Sequence, residues 1–302
     1  MATTIAALLT GSPFICAVVV THNRRELLRE CLTALADQTR TPDRVLVVDN
    51  AGTDGSDAMV REEYPGVELL RLTTNEGGAG GFHEGLRAAH AGGADWAWLM
   101  DDDTVPTPTA LAELLSAHDA LEGFARPLLL ASRVEWIDGR LHPMNEPSFK
   151  REPEPFVASC ERGVIPLRMT TFVSLLVRRG AIERFGLPPK HFFIWSDDIE
   201  YTARIMREEL TGFYVPASVV LHKTRTPHTA VTSTGGRFYF HVRNTLYMLR
   251  GRAWTPREKL SLLWALFFTT RGYLRHNEFA TENVRVVLRG LRDGVRPLRG
   301  AP

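Results

Sequence analysis

Four short apolar runs between Phe14 and Met100 constrain the fold of this 302-residue chain more tightly than any other feature. They are Phe14–Val20, Arg44–Asp49, Val67–Leu72 and Trp96–Met100, each of strand length and mostly apolar. Near-continuous rather than alternating hydrophobicity marks a strand covered on both faces. Helical patterns fill the gaps. Leu28, Cys31, Leu32 and Leu35 follow the first run, with Thr21 or Asn23 as cap; Asp57–Glu63 follows the second; Phe82, Leu86 and Ala89 follow the third. Such alternation predicts an α/β chain with a mostly parallel central sheet between flanking helices.

In that layout the carboxyl ends of the strands share one edge, and ligands bind along it. Four polar segments fall there: Thr21-His22-Asn23, Asp49-Asn50, the glycine-rich loop Thr73–Gly81, and Asp101-Asp102-Asp103. Three adjacent carboxylates after a buried strand repel one another unless a cation lies among them. Oxygen ligands of this kind suit Mg²⁺ or Mn²⁺ carrying a substrate's phosphates. Asp49 can accept from a base or ribose, and Thr21 and Asn23 can bond a pyrimidine edge. The glycines do not form a dinucleotide fingerprint, because they follow the third strand and their spacing differs from G-x-G-x-x-G. Gly77 and Gly78 nonetheless permit close backbone approach to a ligand.

Further along, a helix is expected over Ala110–Leu121. Ala125–Glu161 shows no consistent period and reads as irregular. Thr170–Val177 reads as a strand, Ala181–Phe185 as a short helix, and Ile199–Leu210 as a helix behind the aromatic stretch His191–Asp198. Carboxylates in a first helical turn are favoured by the macrodipole alone, so Asp197 and Asp198 have a structural reading too. Beside a metal site, one of them becomes a candidate general base. Gly212–Leu221 reads as a strand ending at His222, a candidate third metal ligand whose nitrogen favours Mn²⁺.

Bulk properties narrow the class. A net charge of +1 gives no electrostatic case for nucleic acid. Three scattered cysteines fit a reduced, cytoplasmic protein. Met1–Ser12 lacks signal-peptide features, and no run reaches the ~18 apolar residues that span a bilayer. Helices are expected over Arg237–Leu249 and Pro256–Tyr273, with an amphipathic one from Glu282. Leu260, Leu263, Trp264, Phe267 and Phe268 form a stripe near Arg257, Lys259, Arg271 and Arg275. That helix either packs on the catalytic domain or lies on anionic lipid at the inner membrane face.

Taken in order, Val19–Arg24, Val47–Asn50, Asn75–Phe82, Asp101–Asp103, Asp197–Tyr201 with Arg204, and Phe240–Asn244 resemble the inverting family-two glycosyltransferases of GT-A fold. The resemblance is strongest to actinobacterial galactofuranosyltransferases and related rhamnosyltransferases. It implies a GT-A catalytic domain over residues 14–250 and a C-terminal helical extension over 251–302. It implies that Thr21, Asn23, Asp49 and Asn75 hold a nucleotide-sugar, with Gly77, Gly78 and Asp102 on the donor side. Asp101, Asp103 and His222 would hold Mn²⁺ or Mg²⁺ on its diphosphate. Asp198 would deprotonate the acceptor with Asp197 beside it, and Arg204 would be the basic residue of that helix. The implied donor is UDP-galactofuranose or dTDP-rhamnose, and the acceptor a hydroxyl of a cell-envelope or polyprenyl-linked glycan. Ser196 separates Trp195 from Asp197, where the family's galactan polymerase has Trp-Asp-Asp, and no extra N-terminal domain precedes Phe14; both point to an enzyme adding one or two sugars. A sugar-1-phosphate nucleotidylyltransferase would carry a glycine-rich loop where Thr21-His22-Asn23-Arg24 stands. A degenerate nucleotide-sugar-binding scaffold would be free to lose the Asp197-Asp198 pair.

Overall fold

The computed structural model describes residues 12–207, 210–226, 230–233 and 236–296, so the reading of Met1–Ser12 falls, apart from Ser12, outside the described residues. Its strands are β1 (Ile15–Thr21), β2 (Arg44–Asp49), β3 (Glu68–Arg71), β4 (Trp96–Asp101), β5 (Thr104–Pro106), β6 (Leu129–Glu135), β7 (Ser148–Phe149), β8 (Ile165–Met169), β9 (Leu175–Arg178) and β10 (Gly212–His222). Its helices are α1 (Arg25–Ala36), α2 (Ser56–Glu63), α3 (Gly77–Ala91), α4 (Ala110–Ala120), α5 (Pro153–Cys160), α6 (Arg179–Phe185), α7 (Asp197–Ile205), α8 (Phe238–Arg250), α9 (Pro256–His276) and α10 (Thr281–Gly294).

The strands form one sheet in the order β3-β2-β1-β4-β9-β6-β10-β8-β7, with β5 paired to β10. The four expected runs are its parallel half, and β9 enters antiparallel between β4 and β6. Every residue of β1 is buried, as a central strand with helices on both faces requires. One core face gathers Leu28, Leu32, Leu35, Trp98 and Leu111; the other gathers Phe82, Leu86, Phe172 and Tyr201. Trp98 is fully buried and donates from its indole Nε1 to Ser174 Oγ at 2.9 Å, so its polar edge is satisfied.

Three expectations change. The glycines of Thr73–Gly81 do not all lie in a loop, because Gly77–Gly81 form the first turns of α3. Their smallness lets the helix approach the sheet: a Cβ on Gly81 would lie 2.4 Å from Val20 Cγ1. Thr170–Val177 is strand only from Leu175, because Thr202 takes the backbone groups a ladder would use. Thr202 Oγ1 accepts from Thr170 N at 3.1 Å and lies 2.8 Å from Thr170 O. The stretch Ala125–Glu161 contains a central strand, β6, and the helix α5 with Pro153 in its first turn.

The C-terminal helices attach through specific contacts. Thr255 and Glu258 form a capping box at the start of α9. Glu258 also pairs with Arg168 of β8 at 2.6 Å, and that guanidinium donates to Ala203 O and Ala253 O. Helix α10 packs on α8 where Gly290 and Gly294 leave room for Val242 and Leu246. Among the described residues no helix is long and apolar enough to cross a membrane.

Candidate active site

Register alone assembles the first wall of the site. Parallel pairing sets Thr21 beside Asp49 and Asp101 beside Val20, so the strand ends align. The chain then turns back after Asp103, and β5 pairs antiparallel with β10, which puts His222 opposite Thr104. The Lys223 amide donates to Asp103 O at 2.8 Å and fixes that junction. One ligand atom from each of Asp101, Asp103 and His222 lies within 4.8 Å of the others.

The chemistry of this cluster suits a divalent cation. His222 Nδ1 lies 2.8 Å from Asn145 Oδ1, and Asn145 Nδ2 donates to Thr171 Oγ1 at 2.9 Å, which orients the amide. Nδ1 therefore carries the proton, and the Nε2 lone pair faces Asp103 Oδ1 at 3.2 Å. Asp103 Oδ1 is buried and makes no hydrogen bond of good geometry. Those two lone pairs repel unless a proton or a cation lies between them, and a divalent ion could take the proton's place. Burial pushes the Asp101 carboxyl up to about 7, with Asp103's charge adding to the effect. Burial would raise Asp103 as well, but hydrogen bonding and charge from His222 and Arg24 hold it below the usual carboxylate range. A divalent ion would replace protons at this cluster.

The second wall is an aromatic turn, Phe192–Ser196, leading into α7. Phe193, Trp195 and Ser196 have φ of 65°, 67° and 68°, left-handed values that cost energy for residues with a Cβ. Side chains of α8 hold them. Asn244 is fully buried, and its amide donates to Phe192 O, Ile194 O and Trp195 O at 3.1, 3.0 and 2.8 Å. Arg243 adds a bond to Phe192 O at 2.7 Å. On the other side Ala79 N donates to Phe193 O at 3.1 Å. Gly77 is required there, because its φ is +71° and a Cβ would lie 1.9 Å from that carbonyl oxygen. The turn delivers Asp197 and Asp198 to the start of α7, two residues earlier than the helix expected from Ile199. Burial and the neighbouring Asp198 push Asp197 well above the ordinary range, and Asp101's charge adds. Burial pushes Asp198 up to about 6, opposed by the Ile199 amide, which donates to Asp198 Oδ1 at 2.7 Å.

Between the walls lies a cavity of about 500 Å³. Asp101, Asp103, His222, Asp197, Asp198 and Gly78 line it. The other expected residues sit beside or behind it. Asp102 is 3% exposed, and its carboxylate accepts from Thr21 Oγ1 at 2.8 Å, so these two satisfy each other inside the sheet. Asp49 is buried and accepts from Gly52 N at 2.7 Å, closing the turn after β2. Asn23 and Asn75 are exposed, their amides flanking His22 Nε2 at 3.4 and 3.2 Å. Asn23 Oδ1 accepts from Thr53 N, and Asn75 Oδ1 from Gly77 N. Arg204 points away, donating to Phe185 O and to Leu187 O and pairing with Glu200 at 3.1 Å.

Four residues received no role from the sequence. Arg24 lines the cavity and pairs with Asp102 and Asp103. Asn50 braces the start of α3, its side chain bonding Glu76 N and Gly77 O, each at 2.8 Å. Asn145 lies in a stretch without periodicity, where nothing marks it. Asn244 was visible only within the segment Phe240–Asn244, whose chemistry the sequence leaves open.

Comparison with known proteins fits this geometry. The family model described as Glycosyl transferase family 2 matches residues 16–153. Galactofuranosyltransferase GlfT1 of Mycolicibacterium smegmatis is 30% identical over 87% of this chain and 93% of its own length. N-acetylglucosaminyl-diphospho-decaprenol L-rhamnosyltransferase of Mycobacterium tuberculosis is 26% identical over 81% of this chain and 90% of its own. The crystal structure of S. aureus TarS 1-349 in complex with UDP-GlcNAc superposes with a TM-score of 0.63 at 16% identity, over 93% of this chain and 80% of that one. That likeness establishes the GT-A fold. With a relative at 30% identity over nearly its whole length, this chain belongs to glycosyl transferase family 2 and is a glycosyltransferase.

Proposed function

We propose that the enzyme is divalent-metal-dependent and inverting, and moves galactofuranose from UDP-galactofuranose to an acceptor hydroxyl of a polyprenyl-linked cell-envelope glycan. The observation that carries this is the facing of two acidic clusters across one cavity, Asp101–Asp103–His222 against Asp197–Asp198. Inverting displacement forms the bond from acceptor oxygen to anomeric carbon as the bond to the diphosphate breaks on the other face. It needs a base on the acceptor side. Asp198 takes the acceptor proton: with its carboxyl held at about 6, it is ionised at neutral pH and more basic than an ordinary aspartate. Asp197, its carboxyl pushed up by burial and by the neighbouring Asp198, positions that carboxylate. Aromatic Trp195 at the cavity wall offers a face to the sugar.

Asp101, Asp103 and His222 would hold Mn²⁺ or Mg²⁺, which supplies charge neutralisation for the departing diphosphate when bound. Arg24 adds a fixed positive charge on the same wall. The exposed amides of Asn23 and Asn75, with Thr21, Asp49, Asp102 and the Gly77–Gly78 backbone behind them, make the nucleotide side. Residues 14–250 form the catalytic unit in this reading, and residues 251–302 its helical extension. The M. smegmatis relative supports galactofuranose as the sugar. The M. tuberculosis rhamnosyltransferase favours a second reading, rhamnose from dTDP-rhamnose, and its decaprenol-linked substrate supports a lipid-linked acceptor. Incubation with UDP-galactofuranose, dTDP-rhamnose and other UDP- and GDP-sugars, with Mn²⁺ or with chelator, tests both. Mass spectrometry should find Mn²⁺-dependent turnover of UDP-galactofuranose; turnover of dTDP-rhamnose alone would select the second reading, and unaltered turnover under chelation would remove the metal.

A further inference from the structure

Helix α9 turns an unusual face to solvent. Leu266 and Tyr273 are its buried side, packed with Phe238, Val242 and Val287. On the outward side Leu260, Leu263, Trp264, Phe267 and Phe268 are 47–62% exposed. Their rings touch one another, with the Trp264 ring 6.0 Å from that of Phe268 and the two phenyl rings 5.3 Å apart. At 100° per residue, Arg257, Arg271 and Arg275 fall on the same arc as Leu260, Trp264 and Phe268, and all three are exposed. The helix has one carboxylate, Glu258, and it is tied into the capping box and to Arg168. Residues 251–302 hold ten Lys and Arg against four Asp and Glu, a net +6 in a chain whose total is +1.

We propose that this face docks on an anionic lipid bilayer, with α9 lying in the plane of the interface. An apolar centre with Trp and Phe, flanked by cations at both ends and free of acids, matches such a surface in both depth and charge. A second copy of the chain fits worse. An antiparallel pairing of two α9 faces would set Arg257 of one against Arg271 and Arg275 of the other, like charge against like. The placement also relates to the cavity. Gly272 of α9 lies against Val231, where an added Cβ would be 3.3 Å from Val231 Cγ2. The adjacent Ala230 lines the cavity and packs with Phe238 and Tyr273. A bilayer under α9 therefore lies beside the cavity rim. The docking itself does not depend on which sugar the enzyme transfers.

Flotation of the full chain with vesicles tests this directly. The chain should bind phosphatidylcholine–phosphatidylglycerol vesicles and bind pure phosphatidylcholine far less, with binding weakened as salt rises. Trp264→Ser with Phe267→Ser and Phe268→Ser should lower the affinity more than about tenfold. Arg271→Glu with Arg275→Glu should lower it about fivefold or more for each charge. Because these side chains are exposed, melting temperature and calorimetric UDP binding should match the parent and report an intact fold. Equal vesicle binding by parent and apolar variant would overturn the proposal. So would a dimer in sedimentation equilibrium that the apolar substitutions dissolve, which would assign the face to a second copy.

Discussion

The two walls of the cavity are built on different principles. The wall bearing Asp101, Asp103 and His222 is fixed by strand register: backbone ladders of β1, β4, β5 and β10 decide where each ligand falls. The wall bearing Asp197 and Asp198 follows a turn with three non-glycine residues in left-handed conformation, and side chains from another helix hold it. A site built on ladders keeps its backbone geometry when one side-chain contact is lost. A strained turn held by a few hydrogen bonds does not, and its geometry is the part that can be tuned or broken.

The largest expected effect lies at the end of that turn. Asp198→Asn keeps the shape but cannot take a proton, so turnover should fall by ~10²–10⁴ with UDP and Mn²⁺ affinity retained. Near-normal turnover on the true acceptor would move the base elsewhere. The same carboxylate gives a pH signature. It must be ionised to act, so kcat/KM should drop about tenfold per pH unit below about 6, and the Asp198→Asn enzyme should lose that limb.

Asn244→Asp comes next, replacing three donated hydrogen bonds by a carboxylate facing carbonyls. A displacement of about 1 Å at the base costs up to ~10² in rate, so kcat should fall by up to that factor with KM for the donor little changed. If donor KM rises instead while kcat holds, the turn serves the donor. On the other wall Asn145→Leu removes the partner that fixes the His222 tautomer. Mn²⁺ affinity by calorimetry should weaken about 10- to 100-fold, with Asp198 chemistry intact once metal is saturating. The smallest effect is expected from Arg204→Lys, which faces the end of α6 rather than the cavity. It should lower the melting temperature by about 2–4 °C per kcal/mol lost and leave turnover within about twofold. A large loss of activity there would join Arg204 to the site.

The register-built wall was legible in the sequence because buried parallel strands announce themselves through apolar runs, and acids at their ends have few structural uses. The triplet Asp101–Asp103 stood out on that basis with His222 as a candidate beside it, and the family resemblance picked Asp101 and Asp103 out of the three. The turn-built wall was only half legible. Asp197 and Asp198 stood out as a pair, but no local pattern shows that Asn244, nearly fifty residues later, holds the carbonyls before them. The glycines misled for the opposite reason. A run of glycine reads as a loop, whereas Gly81 and Gly85 are small so that α3 can lie on Val20 and Val18. Likewise β6 went unseen because its polar members, Ser132 and Arg133, interrupt the run, although Ser132 is satisfied by Ser174 and Ser218 at 2.6 and 2.7 Å.

The antiparallel entry of β9 bears on how the chain is made. Strands β1 to β4 pair only among themselves on that side of the sheet, so this half can form once Asp101 has left the ribosome. Strand β4 then waits, with Trp96–Leu99 along an open edge, until Leu175–Arg178 emerges to pair with it. An unpaired apolar edge is a template for association with other chains. A nascent or truncated chain ending before β9 therefore holds a finished half-sheet with a sticky side, and the interval in which a chaperone matters most is written into the strand order.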